Sequence, residues 1–282
     1  MIMDATEQLA LKEEKANLKK LKKVLNTELS VHVMKEEKYS REYRNFVAYD
    51  YDDVERKQIL GRDLKRAGEN IKQIKEYLIN PYHGRIDISG NGDEVETYFI
   101  GNQDIILNNK AHVISWKSEM GGLFSQAQKE KEFTTSSGNY SLLLRREISI
   151  ENSFLKMINT TYDHRNVSLE GEIIDPFLLS VLRDKRRQKR LTDIIKTIQA
   201  NQNEIIRLPA DQNFAVQGCA GSGKTMILLH RLSVLLYNKK LNPKRTKIIT
   251  PNEMFNLHIN ELSQELEIQY IERISIDEYY KN

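Results

Sequence analysis

One eight-residue segment of the chain has the residue types and spacing of a phosphate-binding loop. It fits the pattern G-x-x-x-x-G-K-[ST] at every constrained position. Its residues are Gly218, Cys219, Ala220, Gly221, Ser222, Gly223, Lys224 and Thr225. The glycines let backbone N–H groups turn inward around a phosphate, and a helix that follows presents the positive end of its dipole to the same anion. Nucleotide binding is therefore the leading hypothesis, and a glycine-rich turn without a ligand is the alternative.

Two side chains at the end of this segment, which we call the phosphate loop, have specific expected roles. Lys224 would reach the β and γ phosphates, and the hydroxyl of Thr225 would hold Mg²⁺. A short apolar run at residues 214–216 precedes the loop, and a helical pattern at residues 225–237 follows it. The expected context is therefore strand, loop, helix. Cys219 fits the loop by its small size, and we do not expect it to act as a catalytic thiol.

The composition limits the kind of protein this can be. The chain has 282 residues, 43 basic and 40 acidic side chains and a net charge of +3, so any affinity for nucleic acid must come from local patches. Its length suggests about two domains. It has one cysteine, six histidines without metal-ligand spacing and no apolar run of membrane-spanning length. We therefore expect a soluble, cytoplasmic protein without a disulfide, a zinc site or a membrane anchor.

Two apolar stripes predict an antiparallel helical hairpin over residues 1–80. The second stripe alternates steps of four and three, as in a coiled coil. Its residues are Leu60, Leu64, Ala67, Ile71, Ile74 and Leu78, and the comparable first stripe consists of Leu11, Leu18, Leu21, Leu25 and Leu29. A polar and aromatic stretch at residues 34–53 is expected to connect the two helices. The alternative is two amphipathic helices that pack on a globular core.

The connecting stretch ends in an acidic segment that would form the tip of the hairpin. Its acidic members are Asp50, Asp52, Asp53 and Glu55, interspersed with Tyr49 and Tyr51. Such a cluster could coordinate a metal or contact a basic partner, although a charged loop is usually only solvated.

A different pattern follows the break at Pro81 and Gly84. Short β-type runs are separated by Gly-Asn, Asn-Asn and Ser-Ser-Gly turns. The runs are residues 97–100, 104–107, 112–116, 140–145 and 154–158. They predict a small, mostly antiparallel β region over residues 81–172. We interpret Trp116 as a core anchor, with ligand stacking as the alternative.

The last third of the chain returns to a helical pattern. A helix from about residue 175 leads into a basic cluster at residues 185–190, which either contacts nucleic acid or faces water. A strand at residues 247–250 and a helix at residues 251–266 follow the phosphate loop and its helix. This order predicts the start of a right-handed parallel α/β unit over residues 173–282. The expected fold class is therefore α/β, with a coiled-coil hairpin, a small β-rich region and an incomplete P-loop NTPase domain.

The region around the phosphate loop resembles the N-terminal motor half of UvrD/Rep-type superfamily 1 helicases. The resemblance rests on residues 197–207 and 216–225, with Gln202 sixteen residues before Gly218. It implies a RecA-like domain in which the carboxamide of Gln202 reads the adenine edge, so the implied cofactors are ATP and Mg²⁺. The alternative for Gln202 is a polar residue on a surface helix.

Further segments resemble the HelD-like helicase-like ATPases, which bind bacterial RNA polymerase and release it from nucleic acid. These segments are the two-helix start, residues 80–87, residues 98–101 and residues 250–255, and with the phosphate-loop region they span nearly the whole chain. The resemblance implies that bacterial RNA polymerase is the partner, with DNA as a further candidate. It also implies that the hairpin enters the secondary channel of the polymerase.

Three features depart from these families. Residues 115–119 read Ser-Trp-Lys-Ser-Glu where HelD-like proteins usually have Asp-Trp-Arg-Ala-Pro, which leaves this segment open between packing and partner contact. Met226 stands where many UvrD-like proteins have an arginine that stacks on adenine. Its thioether can pack on a base but supplies no charge. Cys219 replaces the alanine or glycine that is common at its position.

A fourth departure is the largest: the motifs that ATP hydrolysis requires are not recognised in this sequence. Superfamily 1 motors need an Asp-Glu pair after an apolar strand and an arginine from a second motor domain. The pair Asp277-Glu278 does not fit, because charged residues interrupt the preceding run at residues 271–276. We assign no catalytic residue and expect the front portion of a HelD-like ATPase, which binds ATP weakly and does not turn it over. The alternatives are a non-enzymatic RNA polymerase-binding protein that acts through its hairpin, and a fragment of a conventional UvrD-like DNA helicase.

Overall fold

A computed structural model describes residues 5–49, 53–90, 94–127, 130–165, 200–218 and 223–281. Within these ranges the chain is α/β and begins with a helical hairpin, as expected. The chain forms two compact units. Unit 1 comprises Met1–Asp87, Thr97–Ile114 and Leu144–Arg165, and unit 2 comprises Ile88–Glu96, Ser115–Leu143 and Asn166–Asn282.

The first helix of the hairpin is longer than expected. The helices are α1, Ala5–Tyr49, and α2, Val54–Ile79. The expected connection at residues 34–53 is therefore wrong over most of its length. No proline or glycine interrupts the chain between residues 34 and 49, so the helix continues. Tyr39, Tyr43 and Phe46 follow one another at steps of four and three and continue the stripe with aromatic side chains, of which Phe46 is buried and the two tyrosines are half-buried.

The apolar stripe on α2 is confirmed. Its buried members are Leu60, Ala67, Ile71 and Ile74. The helix begins after Asp53, whose Oδ1 atom accepts a 2.9 Å hydrogen bond from the backbone N–H of Arg56. Asp53 is thus an N-cap that satisfies one of the first N–H groups of α2. The other expected tip residues Asp50, Tyr51 and Asp52 lie outside the described residues, so metal or partner binding at the tip stays a prediction.

Seven strands form one sheet. They are β1 Gly84–Ser89, β2 Val95–Gly101, β3 Ile105–Leu107, β4 Lys110–Ser115, β5 Glu132–Thr135, β6 Gly138–Glu151 and β7 Phe154–Asp163. Their order is β3-β4-β2-β1-β6-β5, and β7 also pairs with β6. The pairs β3–β4, β5–β6 and β6–β7 are antiparallel. The five predicted runs correspond to β2, β3, β4, β6 and β7, whereas β1 and β5 escape the sequence pattern.

The strand β1 is hidden in the sequence because the break signal Pro81 stands shortly before it and the break signal Gly84 is its first residue. Its four central residues are all buried, although they alternate between charged and apolar types: Arg85, Ile86, Asp87 and Ile88. The predicted Asn-Asn turn is confirmed. Asn108 and Asn109 close the β3–β4 hairpin at φ 51° and 58°, the left-handed conformation that two-residue hairpin turns require.

An ion-pair network attaches α1 to the strands of unit 1. Glu14 is fully buried, and its Oε1 atom accepts hydrogen bonds from Nη1 of Arg85 at 2.8 Å and of Arg146 at 2.9 Å. Glu13 pairs with the same two arginines, at 2.6 Å in both cases. Arg85 also pairs with Asp87 at 2.7 Å. Buried charges are tolerated only when they are paired in this way, so the network fixes where α1 meets β1 and β6.

The core of unit 1 contains both helices of the hairpin and several strands. Its members are Leu18, Leu21, Leu25, Ile74, Tyr82, Ile105, Val113, Ile148 and Ile150. Phe46, Leu60 and Ala67, which lie nearer the tip, are buried outside this cluster. Both interpretations of the hairpin therefore hold in part. Its base packs on a globular core, and its outer half is held by contacts between the two helices.

Unit 2 contains the remaining elements in the order α3, α4, α5, β8, α6, β9, α7. They are α3 Glu119–Gln126, α4 Ala200–Ile206, α5 Lys224–Tyr237, β8 Lys247–Thr250, α6 Glu253–Glu265, β9 Glu272–Ser275 and α7 Ile276–Lys281. The strands β8 and β9 pair in parallel and are joined through α6. The predicted helix, strand and helix after the phosphate loop are thus confirmed as α5, β8 and α6. The predicted helix near residue 175 and the basic cluster at residues 185–190 lie outside the described residues.

Candidate nucleotide-binding site

The phosphate loop ends in a left-handed glycine. Gly223 has φ 82° and ψ 12° and is the N-cap of α5, which begins at Lys224. Only glycine adopts this conformation without strain. A Cβ at this position would meet no atom within 4 Å, so backbone conformation and not space excludes other residues. The glycine-lysine step of the sequence pattern therefore has a direct conformational cause.

The two functional side chains expected after this glycine lie in the first turn of α5. The Nζ atom of Lys224 donates a 2.9 Å hydrogen bond to the carbonyl oxygen of Gly218, at the other end of the loop. Thr225 and Met226 are half-buried. An α-helix leaves its first N–H groups without acceptors inside the helix, which makes this end suited to an anion. The expected loop residues Cys219, Ala220, Gly221 and Ser222 lie outside the described residues.

The strand expected before the loop is absent. Residues 212–218 form no strand, and within the described chain β8 pairs only with β9. A strand needs a neighbouring ladder for its backbone hydrogen bonds, and the run at residues 214–216 has none. The guanidinium of Arg231 instead lies over the ring of Phe214, with 4.7 Å between the guanidinium carbon and the ring centroid. The apolar run is thus held by a side-chain contact and not by a sheet.

The helix that carries Gln202 packs against the helix that carries Lys224. Gln202 lies on α4 and is half-buried, and α4 and α5 are in direct contact. The structure therefore brings together the two elements that a nucleotide site of the expected type needs, one for the base and one for the phosphates.

Arg231 joins these two helices. It lies on α5 and is buried, and its guanidinium donates to the carbonyl oxygens of Ile206, Leu208 and Pro209 at 3.3, 2.6 and 2.8 Å. These carbonyls belong to the last residue of α4 and to the segment directly after it. A cation at the C-terminal end of a helix also interacts favourably with the helix dipole. Burial lowers the pKa of Arg231, although the group stays charged at neutral pH.

Arg207 attaches the end of α4 to a turn that follows β4. Its Nε atom donates to Oδ1 of Asn203 at 3.2 Å, and its Nη1 and Nη2 atoms donate to the carbonyl oxygens of Ser118 and Trp116 at 3.1 and 2.6 Å. The turn Trp116–Ser118 leads into α3, which begins at Glu119. Burial lowers the pKa of Arg207 to about 10, and the nearby Glu119 carboxylate acts in the opposite direction.

The residues at 115–119, where the sequence departs from the family pattern, have packing roles. Trp116 is 6% exposed and meets the ring of His230 edge-on, with 5.1 Å between ring centroids, which confirms it as a core anchor. Lys117 is buried and pairs with Glu267 at 2.8 Å. The hydroxyl of Ser118 caps α3 by accepting a 3.0 Å hydrogen bond from Gly121.

The Asp277-Glu278 pair has a structural explanation. Glu278 accepts hydrogen bonds from the backbone N–H and the hydroxyl of Ser275 at 2.7 and 2.9 Å, and the Ser275 hydroxyl accepts one from the N–H of Glu278. This reciprocal arrangement is a capping box at the start of α7. It lowers the pKa of Glu278, first through the backbone hydrogen bond. Among the described residues, no group of three or more His, Cys, Asp or Glu side chains is arranged to hold a metal ion.

Arg207 and Arg231 are not among the site residues expected from the sequence. A signal exists for Arg231, because it stands on the apolar stripe of α5, four residues after buried Ile227 and three before buried Val234. A cation at such a position needs acceptors inside the protein. Arg207 has no comparable signal, because two of its three partners are backbone carbonyls far away in the sequence.

Neither the comparison with models of known protein families nor the comparison with curated proteins finds a match to this chain. Within the described part of the chain, no helix combines the length and the apolar character needed to cross a membrane.

Proposed function

We propose that this chain is the ATP-binding N-terminal portion of a HelD-like superfamily 1 ATPase that binds RNA polymerase and uses ATP to remodel it or release it from nucleic acid. One observation supports nucleotide binding most strongly. Gly223, at φ 82°, starts α5 and puts Lys224 and Thr225 in the first turn of a helix that follows a G-x-x-x-x-G sequence. A phosphate-binding loop requires this arrangement.

Each part of the loop has a defined role in the proposal. The backbone N–H groups of residues 218–223 surround the β and γ phosphates, and Lys224 neutralises their charge. The hydroxyl of Thr225 binds Mg²⁺, and Met226 packs on the base. The parallel pair of β8 and β9, joined through α6, supports a RecA-like arrangement of this domain.

The preference for adenine is assigned to Gln202. Its carboxamide has both a donor and an acceptor, which matches the amino group and ring nitrogen on the adenine edge. The contact between α4 and α5 supports a shared site for base and phosphates. The chain should therefore bind ATP in preference to GTP.

Hydrolysis is not assigned to this chain. The acidic pair Asp277-Glu278 begins α7, where Glu278 forms a capping box with Ser275. A carboxylate committed to a helix cap is poorly placed to hold Mg²⁺ and orient water. We propose that the chain binds ATP and that turnover needs residues outside it.

Isothermal titration of the purified chain with MgATP and with MgGTP tests the proposal. We expect ATP to bind about tenfold more tightly than GTP, the factor that 1.4 kcal/mol of selective contacts produces. Phosphate release should stay at the rate of the buffer control. Equal affinities would remove Gln202 as the adenine reader, and no binding of either nucleotide would remove the nucleotide function altogether.

The length of the hairpin favours a second candidate, a non-enzymatic protein that contacts RNA polymerase through the hairpin. Helix α1 has 45 residues, which corresponds to about 68 Å at the usual rise per residue. A pull-down with RNA polymerase should compare the full chain, Lys224→Ala, and a chain that lacks two heptads at the tip end of each helix. Loss of capture only in the shortened chain favours this candidate. Equal capture of all three would exclude the hairpin as the contact.

A further inference from the structure

We infer that Arg207 is the positioning residue for the base-reading helix α4, and that Gly122 is glycine so that the Arg207 guanidinium can fit. The inference rests on the proposed adenine site and names what holds its base-selective side in place. It makes the selectivity for adenine depend on a contact with the turn Trp116–Ser118, far from the phosphate loop in the sequence.

The C-terminal end of α4 is held by hydrogen bonds from two arginine side chains. Arg207 follows the last residue of α4 and provides three such contacts, to Asn203 within α4 and to the carbonyl oxygens of Trp116 and Ser118. Arg231 holds the same end of α4 from the α5 side. Between them, these two cations determine where Gln202 lies.

The contact between Arg207 and the turn has a shape that only arginine can satisfy. The guanidinium is planar, and two of its nitrogen atoms reach two separate carbonyls, 3.1 and 2.6 Å away. Lysine carries a single ammonium group and cannot occupy both positions with the same geometry. The hydrogen-bond partners of Arg207 among the described residues are all neutral oxygen atoms, and the Glu119 carboxylate only partly offsets the burial that lowers its pKa. The Arg207 guanidinium is therefore buried at a cost in free energy, which is consistent with a role in positioning α4.

Gly122 provides the space for this contact. A Cβ at Gly122 would lie 2.5 Å from both Nε and Nη1 of Arg207, closer than such atoms approach in proteins. Gly122 is in the interior of α3, where glycine is less favourable than alanine. It has no need of a positive φ, since the left-handed glycines among the described residues are Gly138 and Gly223. The missing side chain is therefore explained by Arg207.

The test measures base selectivity and phosphate binding separately. The wild-type chain and Arg207→Lys are titrated with MgATP, MgGTP and magnesium tripolyphosphate. We expect the preference for ATP over GTP to fall by about three- to tenfold in Arg207→Lys, the effect of a lost hydrogen bond. Tripolyphosphate affinity should stay unchanged, because the loop and Lys224 are untouched. Arg245→Lys, at an exposed arginine in the 3₁₀ turn Pro243–Arg245, is the matched control.

A second pair of variants tests the role of Gly122. Gly122→Ala should lower the ATP preference as Arg207→Lys does. In an Arg207→Ala background, the same Gly122→Ala change should have no further effect, because the guanidinium that it would displace is gone. If Arg207 and Gly122 only stabilised the fold, these variants would lower the affinity for MgATP, MgGTP and magnesium tripolyphosphate together.

The outcomes separate this inference from the function on which it rests. A wild-type chain that prefers ATP, with the same preference in Arg207→Lys, overturns the positioning role. Additive effects of Gly122→Ala and Arg207→Ala overturn the steric explanation. A wild-type chain that binds tripolyphosphate but neither nucleotide overturns the proposed ATP site itself, whatever the variants do.

Discussion

The Nζ atom of Lys224 donates a 2.9 Å hydrogen bond to the carbonyl oxygen of Gly218, and this contact joins the two ends of the phosphate loop. The lysine is in the first turn of α5. Gly218 lies four residues after Phe214, whose ring contacts the guanidinium of Arg231. A phosphate oxygen is a stronger acceptor for an ammonium group than a neutral carbonyl is. Polyphosphate binding should therefore replace the Gly218 contact and use the same lysine.

Replacement of Gly223 should weaken both the fold and ATP binding. Gly223→Ala forces a Cβ into φ 82°, which costs about 1 kcal/mol or more of unfolding free energy. The strain falls at the start of α5, so ATP affinity should fall as well. Urea unfolding and nucleotide titration measure the two effects.

Gly68→Ala is the control for Gly223→Ala. It lies within α2, and its Cβ would meet Glu36 at an ordinary 3.6 Å, so it should stabilise the chain slightly. Equal stabilities of the two variants would contradict the assigned backbone strain.

The buried carboxylate of Glu14 should contribute strongly to the stability of unit 1. Glu14→Gln removes the charge that Arg85 and Arg146 share, and should lower the unfolding free energy by about 3 kcal/mol, as loss of one partner in a buried ion pair does. The exposed pair Lys38–Glu42, at 3.8 Å, provides the contrast. Glu42→Gln should change stability by less than about 0.5 kcal/mol. Similar losses in both variants would show that burial does not govern the Glu14 contribution.

The imidazole of His230 should make the stability of unit 2 depend on pH. Burial, and to a lesser extent Lys117, lowers the pKa of His230 from 6.5 to about 4. Within the described chain neither ring nitrogen has a hydrogen-bond partner. The folded protein thus favours the neutral ring.

The sign of this pH dependence follows from the lowered pKa. The stabilising contribution of His230 is complete above pH 6.5 and is lost as the pH falls from 6.5 to about 4. The total is on the order of 3 kcal/mol. Melting temperatures of wild type and His230→Phe across this range measure it, since phenylalanine keeps the ring contact with Trp116. The difference between the two proteins should shift in favour of the variant towards pH 4. A difference that does not change with pH would contradict the burial of a neutral ring.

The Asp277-Glu278 pair should be dispensable for nucleotide binding. Glu278→Ala removes a capping box on an exposed helix and should lower the melting temperature slightly, because the first N–H groups of α7 lose an acceptor. MgATP affinity should be unchanged, because the carboxylate is not assigned to Mg²⁺. Asp277→Asn is the matched change, at a neighbouring residue with no capping role in the box. A loss of Mg²⁺-dependent ATP affinity in either variant would restore the pair as metal ligands.

Local patterns predicted those parts of the fold that depend on local spacing. The heptad stripe from Leu60 to Leu78 gave α2, and the turn Asn108-Asn109 gave the β3–β4 hairpin. The same spacing rule applied to Tyr39, Tyr43 and Phe46 extends α1, but aromatic and charged residues made that stretch look like a connection. Strand β1 was obscured because its charged residues Arg85 and Asp87 are buried through an ion pair with each other, and Arg85 also pairs with Glu13 and Glu14 on α1.

The candidate site shows the same division. The types and order of the loop residues predict a phosphate site, because the geometry of such a loop depends on consecutive residues such as Gly223 and Lys224. The contacts of Arg207 and Arg231 depend on carbonyl oxygens, which every residue type possesses, so no residue pattern encodes them. The apolar run at residues 214–216 was misleading for a related reason. Strand formation depends on a partner strand and not on the run itself.

In the proposed function, Lys224 and the loop around it bind the phosphates of ATP. Equilibrium titration with MgATP should compare wild type, Lys224→Ala and the control Lys244→Ala, an exposed lysine in the 3₁₀ turn. We expect Lys224→Ala to lose at least about tenfold in affinity, the effect of a lost hydrogen bond to a charged group. Lys244→Ala should bind as the wild type does. Equal MgATP affinity in all three proteins would show that Lys224 does not bind the phosphates.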